Sequence, residues 1–133
     1  MKIIKWEDTY RLEIDMFDIQ HQYLIKLLNM ANSAISLNHN ISEIRSISQE
    51  LLEYTDYHLK SEEEMMKITG YNKLYLHHTE HDIIRNRLAE LKVCMVAFDI
   101  RYYTDVSHYI EEYYLNHVLI FDKEFADFVK GSS

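Results

Sequence analysis

The chain contains no proline, only two glycines (Gly70 and Gly131) and a single cysteine, Cys94. Each scarcity removes a class of structure. With no proline and so little glycine, few positions force the backbone to break, and long helices are the natural reading. A lone cysteine excludes an internal disulfide and a thiolate metal cluster, so any metal must be held by nitrogen and oxygen. No apolar run approaches the ~20 residues that a membrane-spanning helix needs, and residues 1–6 lack the core of a secretory signal, so the expectation is a cytoplasmic protein without membrane contact. Positive charge is also short: 14 Lys and Arg face 22 Asp and Glu, a formal charge of −8. That balance disfavours partners recognised through phosphates, and nucleic acid is set aside.

What remains describes one globular unit. At 133 residues, 47% hydrophobic and 27% charged, the chain can bury roughly two-thirds of its unfolded surface around one core. It reads as a single domain over 1–133, with an N-terminal arm over about 1–15 and a bundle over about 16–130. The arm carries Trp6 and Tyr10 without a clear period and is expected to pack across the bundle. A first helix is predicted over about 18–37, where Phe17, His21, Leu24, Leu28, Ala31 and Ile35 recur at spacings of three and four. A second starts near Ser42, which has N-cap chemistry, and ends at Gly70; its stripe is Ile44, Ile47, Leu51, Thr55, His58, Glu62 and Met65. The third stripe is the cleanest, with Leu74, His77, His81, Ile84, Leu88, Leu91 and Met95. A fourth helix starts near Thr104 or Asp105 and presents Val106, Ile110, Tyr113, His117, Ile120 and, past Asp122, Phe125 and Phe128. Short connections between successive helices favour an all-α, up-down-up-down four-helix bundle.

Seven ionisable residues fall on or beside those apolar stripes: His21, His58, Glu62, His77, His81, His117 and Asp122. An unpaired charge in apolar surroundings costs more than packing returns, so something must compensate them. A metal ion does so directly, turning neutral imidazoles and ionised carboxylates into bonds. Residues four apart differ by only about 40° around a helix, so His58 with Glu62, and His77 with His81, can grip one centre. His117 and Asp122 are five apart, about 140° round an ideal helix; a local irregularity or a flanking approach must bring Asp122 inward. Seven donor residues exceed what one six-coordinate ion uses. Two ions fit better, with Glu62 and Asp122 bridging them through two oxygens each and five nitrogens divided three and two. With a solvent-derived bridge, one ion is then saturated and the other keeps an open position, where a small ligand binds. The ligand set leans towards iron, with manganese, copper and zinc also compatible.

The segments FDIQHQYL (17–24), HLKSEEEM (58–65), HHTEH (77–81) and HVLIFD (117–122) resemble the signature of the hemerythrins, especially the single-domain bacterial ones, over about residues 6–128. The resemblance implies a non-haem pair of iron ions with a bridging oxo or hydroxo group, binding O2 reversibly. It further implies that His77, His81 and His117 hold the saturated iron, that His21 and His58 hold the iron with the vacancy, and that Glu62 and Asp122 bridge. The sequence departs from the family where Tyr113 and Tyr114 replace a tryptophan and an aliphatic residue. Position 114 faces the gas pocket in the family, so the phenol there is expected either to donate a hydrogen bond to the bound ligand or to narrow the pocket. Asn72 stands for a usual proline and Glu13 for a customary glycine, changes expected to affect loops only.

Other residues read as ordinary. His39, His78 and His108 are expected to face solvent, as are Glu63 and Glu64, while Cys94 suits a buried inert thiol. Eleven tyrosines and six methionines suggest adaptable, partly polar packing. The leading expectation is a non-enzymatic, monomeric O2-binding protein for storage, delivery or scavenging. The alternatives are a di-iron enzyme acting on peroxide or nitric oxide, and an O2 sensor working through a separate partner. Unrelated alternatives are a zinc or manganese bundle and a ferritin-like oxidase; ferritin-like sites rely on Glu-x-x-His pairs, and none occupies the donor positions here.

Overall fold

The computed structural model describes residues 4–37, 40–96 and 99–131; His39 and the side chain of Met95 lie outside the described residues. A short 3₁₀ turn, Asp8–Tyr10, precedes helices α1 (Asp15–Ser36), α2 (Ile41–Thr69), α3 (Leu74–Val96) and α4 (Ile100–His117). The fourth run continues through a π-helical turn, Val118–Asp122, into α5 (Lys123–Gly131). The fold is all-α, with no strand among the described residues. Each helix packs on the next and α4 closes back on α1, which makes the up-down-up-down bundle. No described helix is long and apolar enough to cross a membrane.

The ends of the helices differ from expectation for local reasons. The side chain of Asn40, not Ser42, caps α2, its Oδ1 accepting from the Glu43 N–H at 2.9 Å, so α2 starts at Ile41. Gly70 ends α2 as expected, in the left-handed conformation (φ 68°) that a glycine adopts freely. The first helix starts at Asp15 and the fourth at Ile100, each about one turn earlier than periodicity indicated, because the first turn of a helix need not carry apolar residues. The arm is pinned to the bundle: Asn29 bonds the Ile4 N–H and C=O, both at 2.8 Å, and the Asp18 carboxylate accepts from the N–H groups of Leu12 (2.8 Å) and Glu13 (3.1 Å).

Three stripe residues differ from expectation, the first being Tyr113, which is half-buried while Tyr114 beside it is buried. Met66 is buried whereas Met65 is half-buried, since a four-residue step from Glu62 keeps the inward phase better than a three-residue step. Ile120 is 58% exposed, because the π turn rotates it outward.

Apolar packing forms two clusters. The larger joins Leu24, Leu28, Ile44, Leu51, Ile84, Leu88, Tyr103 and Ile110; the smaller joins Leu12, Phe17, Met66, Tyr71 and Phe125. Each fully buried Leu, Ile or Phe side chain contributes about 1.5–3 kcal/mol relative to exposure. Every helix passes from one cluster to the other through a histidine or carboxylate. On α1 that residue is His21 between Phe17 and Leu24, on α2 it is Glu62 between Leu59 and Met66, and on the fourth run His117 and Asp122 lie between Tyr114 and Phe125. A polar layer therefore cuts the core in two.

Candidate metal centre

All seven residues singled out by sequence meet in that layer, and none is more than 2% exposed. Their donor atoms form two groups that share both carboxylates: Glu62, His77, His81, His117 and Asp122 in one, His21, His58, Glu62 and Asp122 in the other, with the atoms of each group within 4.8 Å of one another. The carboxylates divide their oxygens between the groups. Asp122 Oδ1 lies 2.9 Å from both His77 Nε2 and His117 Nε2, while Oδ2 lies 3.2 Å from His21 Nε2. Glu62 Oε1 faces His21 at 3.5 Å and lies against His58, whereas Oε2 faces His77 at 3.7 Å and His81 at 4.0 Å.

The π turn is what brings Asp122 in. Its hydrogen bonds run from residue i to i+5, so residues five apart take the stacked relation that residues four apart have in an α-helix. His117 immediately precedes that turn, Asp122 is its last residue, and their side chains meet. The irregularity that the five-residue spacing demanded is this turn, and Phe125 beyond it still packs inward.

The arrangement is electrostatically unfinished. Among the described residues, His21 Nε2, His58 Nε2, both Glu62 oxygens and Asp122 Oδ2 are buried without a properly formed hydrogen bond. Leaving such groups unpaired costs about 1–3 kcal/mol each. Burial alone would lower His21, but the Asp122 and Glu62 carboxylates beside it hold it up at about 9. Burial and the Asp122 charge would raise Glu62, but His58 and His21 pull it down to about 2. Burial lowers His58 and His81, whereas Asp122 outweighs burial at His117 and raises it. Charge is thus shared among groups that a cation would serve directly. The spacing fits one: His117 Nε2 lies 3.1 Å from both His77 Nε2 and His81 Nε2, and two nitrogens about 2.1 Å from one ion at right angles would be about 3.0 Å apart.

Outer partners differ between the groups. His58 Nδ1 lies 2.6 Å from Gln20 Oε1. His81 Nδ1 lies 3.1 Å from Glu63 Oε2, and Glu63 also pairs with Arg85 and His78. Glu63 is therefore not the solvated residue expected from its phase. It sits about 100° round from Glu62, at the seam with α3, and its side chain is only 13% exposed. Glu64, His78 and His108 are exposed as expected, although His78 is engaged by Glu63, and Cys94 is buried with its thiol pushed up by burial. Gln20 and Arg85 had no sequence signal beyond adjacency to the donor stripes.

Tyr114 is buried, 3% exposed, with its ring 6.0 Å from His21 and 6.3 Å from His58, centroid to centroid. Its hydroxyl has no hydrogen-bond partner among the described residues. Phe17 stands edge-on to His58 at 6.4 Å, and Phe121 stacks on His117 at 5.6 Å.

A four-helix bundle that converges imidazoles and carboxylates on one dry layer is a metal-binding bundle of the histidine-carboxylate class. The family model described as the hemerythrin HHE cation binding domain matches residues 12–129, and the chain belongs to the hemerythrin family of non-haem iron-binding domains. It is 29% identical to a bacteriohemerythrin of Clostridium acetobutylicum, over 92% of this chain and 98% of that one. It is 27% identical to a bacteriohemerythrin of Stenotrophomonas maltophilia, over 98% and 84%. Among solved structures, a tyrosine-for-leucine variant of hemerythrin superposes with a TM-score of 0.83 at 25% identity, covering 95% of this chain and 96% of that one.

Proposed function

We propose that the buried cluster holds two iron ions and binds O2 reversibly, as a protein of oxygen storage, delivery or scavenging. The observation that carries the reading is the division of both bridging-type carboxylates, one oxygen to each group, with three imidazoles on one side and two on the other. In this reading His77, His81 and His117 hold one ion, His21 and His58 hold the other, and Glu62 and Asp122 span the pair. The side with only two imidazoles is the one that would leave room for O2, and iron held there would supply electrons to O2 and take them back on release.

The chain's own contribution is enclosure and one donor. Phe17 stands against His58 and the Tyr114 ring against His21 and His58, both buried, and they keep bulk water out of the two-imidazole side. A dry surround slows loss of the reduced guest, because departing anions gain little solvation inside an apolar wall. The Tyr114 hydroxyl, buried and unpartnered, is available to donate to the guest, a net effect of about 0.5–1.5 kcal/mol. The same hydroxyl favours a second reading, turnover of peroxide or nitric oxide, in which Tyr114 delivers a proton instead of merely holding the guest.

Anaerobic reduction of the iron-loaded chain, exposure to O2 and degassing, followed by visible absorption, tests the first reading. A band that forms with O2 and disappears on degassing is expected; irreversible bleaching to the oxidised form favours turnover. Stopped-flow release and autoxidation rates for Tyr114→Phe and Tyr114→Leu then separate hydrogen bonding from crowding. If Tyr114→Phe matches the parent in both rates, the ring is packing only.

A further inference from the structure

Two of the five cluster histidines have their outer ring nitrogen held, and the holding groups differ in charge. Gln20 presents an amide oxygen to His58 Nδ1 at 2.6 Å. Glu63 presents a carboxylate oxygen to His81 Nδ1 at 3.1 Å, and Arg85 spans both oxygens of that carboxylate, at 2.5 and 3.4 Å. A carboxylate and an amide oxygen can only accept, so in both cases Nδ1 carries the proton and Nε2 is left as a lone-pair donor facing the cluster. The two bonds thus fix tautomer and ring orientation alike.

They do not act alike on the electrons. A charge-assisted N–H···O⁻ bond is roughly twice as strong as a neutral one, and it draws the ring proton outward, leaving Nε2 a stronger donor to a cation. Arg85, itself paired with Asp82 at 3.3 Å, anchors the Glu63 carboxylate in place without reaching the ring.

We propose that Glu63 is a positioning residue for His81 that makes the His77, His81 and His117 pocket the first of the two to fill with metal and gives it the more readily oxidised ion, while Gln20 leaves the His21 and His58 pocket the weaker donor. This rests on the two-metal reading above. It goes further, because three imidazoles against two already favour the first pocket, and Glu63 adds to that bias through charge alone.

The test uses the metal-free full-length chain titrated with Co(II), read by the visible absorption of bound Co(II) and by competition with a chromophoric chelator. The parent is expected to fill in two resolved steps. Glu63→Gln keeps size and hydrogen-bonding capacity but removes the charge; it is expected to weaken the first step by about 10- to 100-fold, the usual consequence of losing an outer partner of a metal ligand, and to leave the second unchanged. Gln20→Glu adds the missing charge on the other side and is expected to tighten the second step, closing the gap from below. Far-ultraviolet circular dichroism checks that both variants keep their helices. In the iron-loaded chain, Glu63→Gln is expected to raise the reduction potential of the ion oxidised first, a shift that a purely structural role would not produce. Two steps that Glu63→Gln leaves at parental values, or weakens equally, overturn the role of Glu63 and leave the two-metal reading standing. A single step that takes up two Co(II) per chain overturns the order of filling alone, and saturation at one Co(II) per chain overturns both.

Discussion

The two sides of the buried layer are made of the same residue types and set in different surroundings. On the side of His77, His81 and His117, three imidazoles converge, Phe121 stacks on His117, and Glu63 and Arg85 tie His81 to the surface through charge. On the side of His21 and His58 there are two imidazoles, one neutral outer partner in Gln20, and a phenol whose hydroxyl has no hydrogen-bond partner among the described residues. The first side is full and electrically anchored. The second is dry and has fewer donors, and in the proposed reading that deficit is where a small guest would bind. Supply of ligands and supply of charge thus point the same way, although they come from different helices.

Glu62 belongs to both sides, so its loss should erase the contrast between them and has the largest expected effect. Glu62→Ala is expected to abolish retention of both metals and to lower the stability of the loaded protein by about 3–5 kcal/mol, as when one member of a buried charged set is removed. Glu64→Ala, on the exposed face, should stay within about 0.5 kcal/mol of the parent. Metal analysis and urea titrations check both; equal retention by Glu62→Ala and Glu64→Ala contradicts the inward phase of Glu62.

Metal removal should unmask the charge shared across the layer. His21, held up at about 9 against an ordinary 6.5, stabilises the metal-free fold below pH 6.5, and that stabilisation is lost as pH rises through about 9. Glu62, pulled down to about 2 from 4.5, stabilises it above pH 4.5, and the contribution is lost as pH falls towards about 2. Thermal melts of metal-free chain are therefore expected to show a maximum between these limits. The alkaline decline should be absent from the metal-loaded protein, in which His21 is a neutral ligand. An alkaline decline that persists with metal bound contradicts the assignment of His21.

The smaller effects sharpen the contrast. Tyr114→Phe removes an unpaired buried hydroxyl from the two-histidine side only, and should stabilise the metal-free chain by about 1–3 kcal/mol. No gain in denaturant melts would mean that the hydroxyl already has a partner. Glu13, outside both sides, sits at φ 62°, a left-handed conformation that costs an ordinary residue about 1–2 kcal/mol. Allowing for the greater freedom of glycine in the unfolded chain, Glu13→Gly should raise stability by up to about 1 kcal/mol, with metal binding unchanged. A loss would show that its contact with Lys130, at 3.7 Å, outweighs the backbone strain.

What helical period governs was legible in the sequence. His58 with Glu62 and His77 with His81 follow from four-residue spacing, and His21 follows from the stripe of α1. The need for an irregularity between His117 and Asp122 was legible as well, but not its form: a π turn keeps both Asp122 and Phe125 inward and turns Ile120 out, a choice made by packing on both sides of the layer. Glu63 was misread because the phase of one helix does not report its neighbour, and only the approach of α3 brings His81 and Arg85 to it. Asn40 displaced Ser42 as the cap for a similar reason, since two adjacent polar residues satisfy the same rule and the connection decides between them. The buried pair of Asn32 and Glu111, 3.0 Å apart across α1 and α4, left no trace in either helix alone.

Whether the two sides each hold an iron ion is tested most directly by metal analysis of the protein from iron-replete cells, paired with Mössbauer spectroscopy. Two irons per chain are expected, magnetically coupled, giving two unequal signals that reflect three imidazoles on one side and two on the other. One zinc per chain with no iron, or a single uncoupled iron signal, would contradict it.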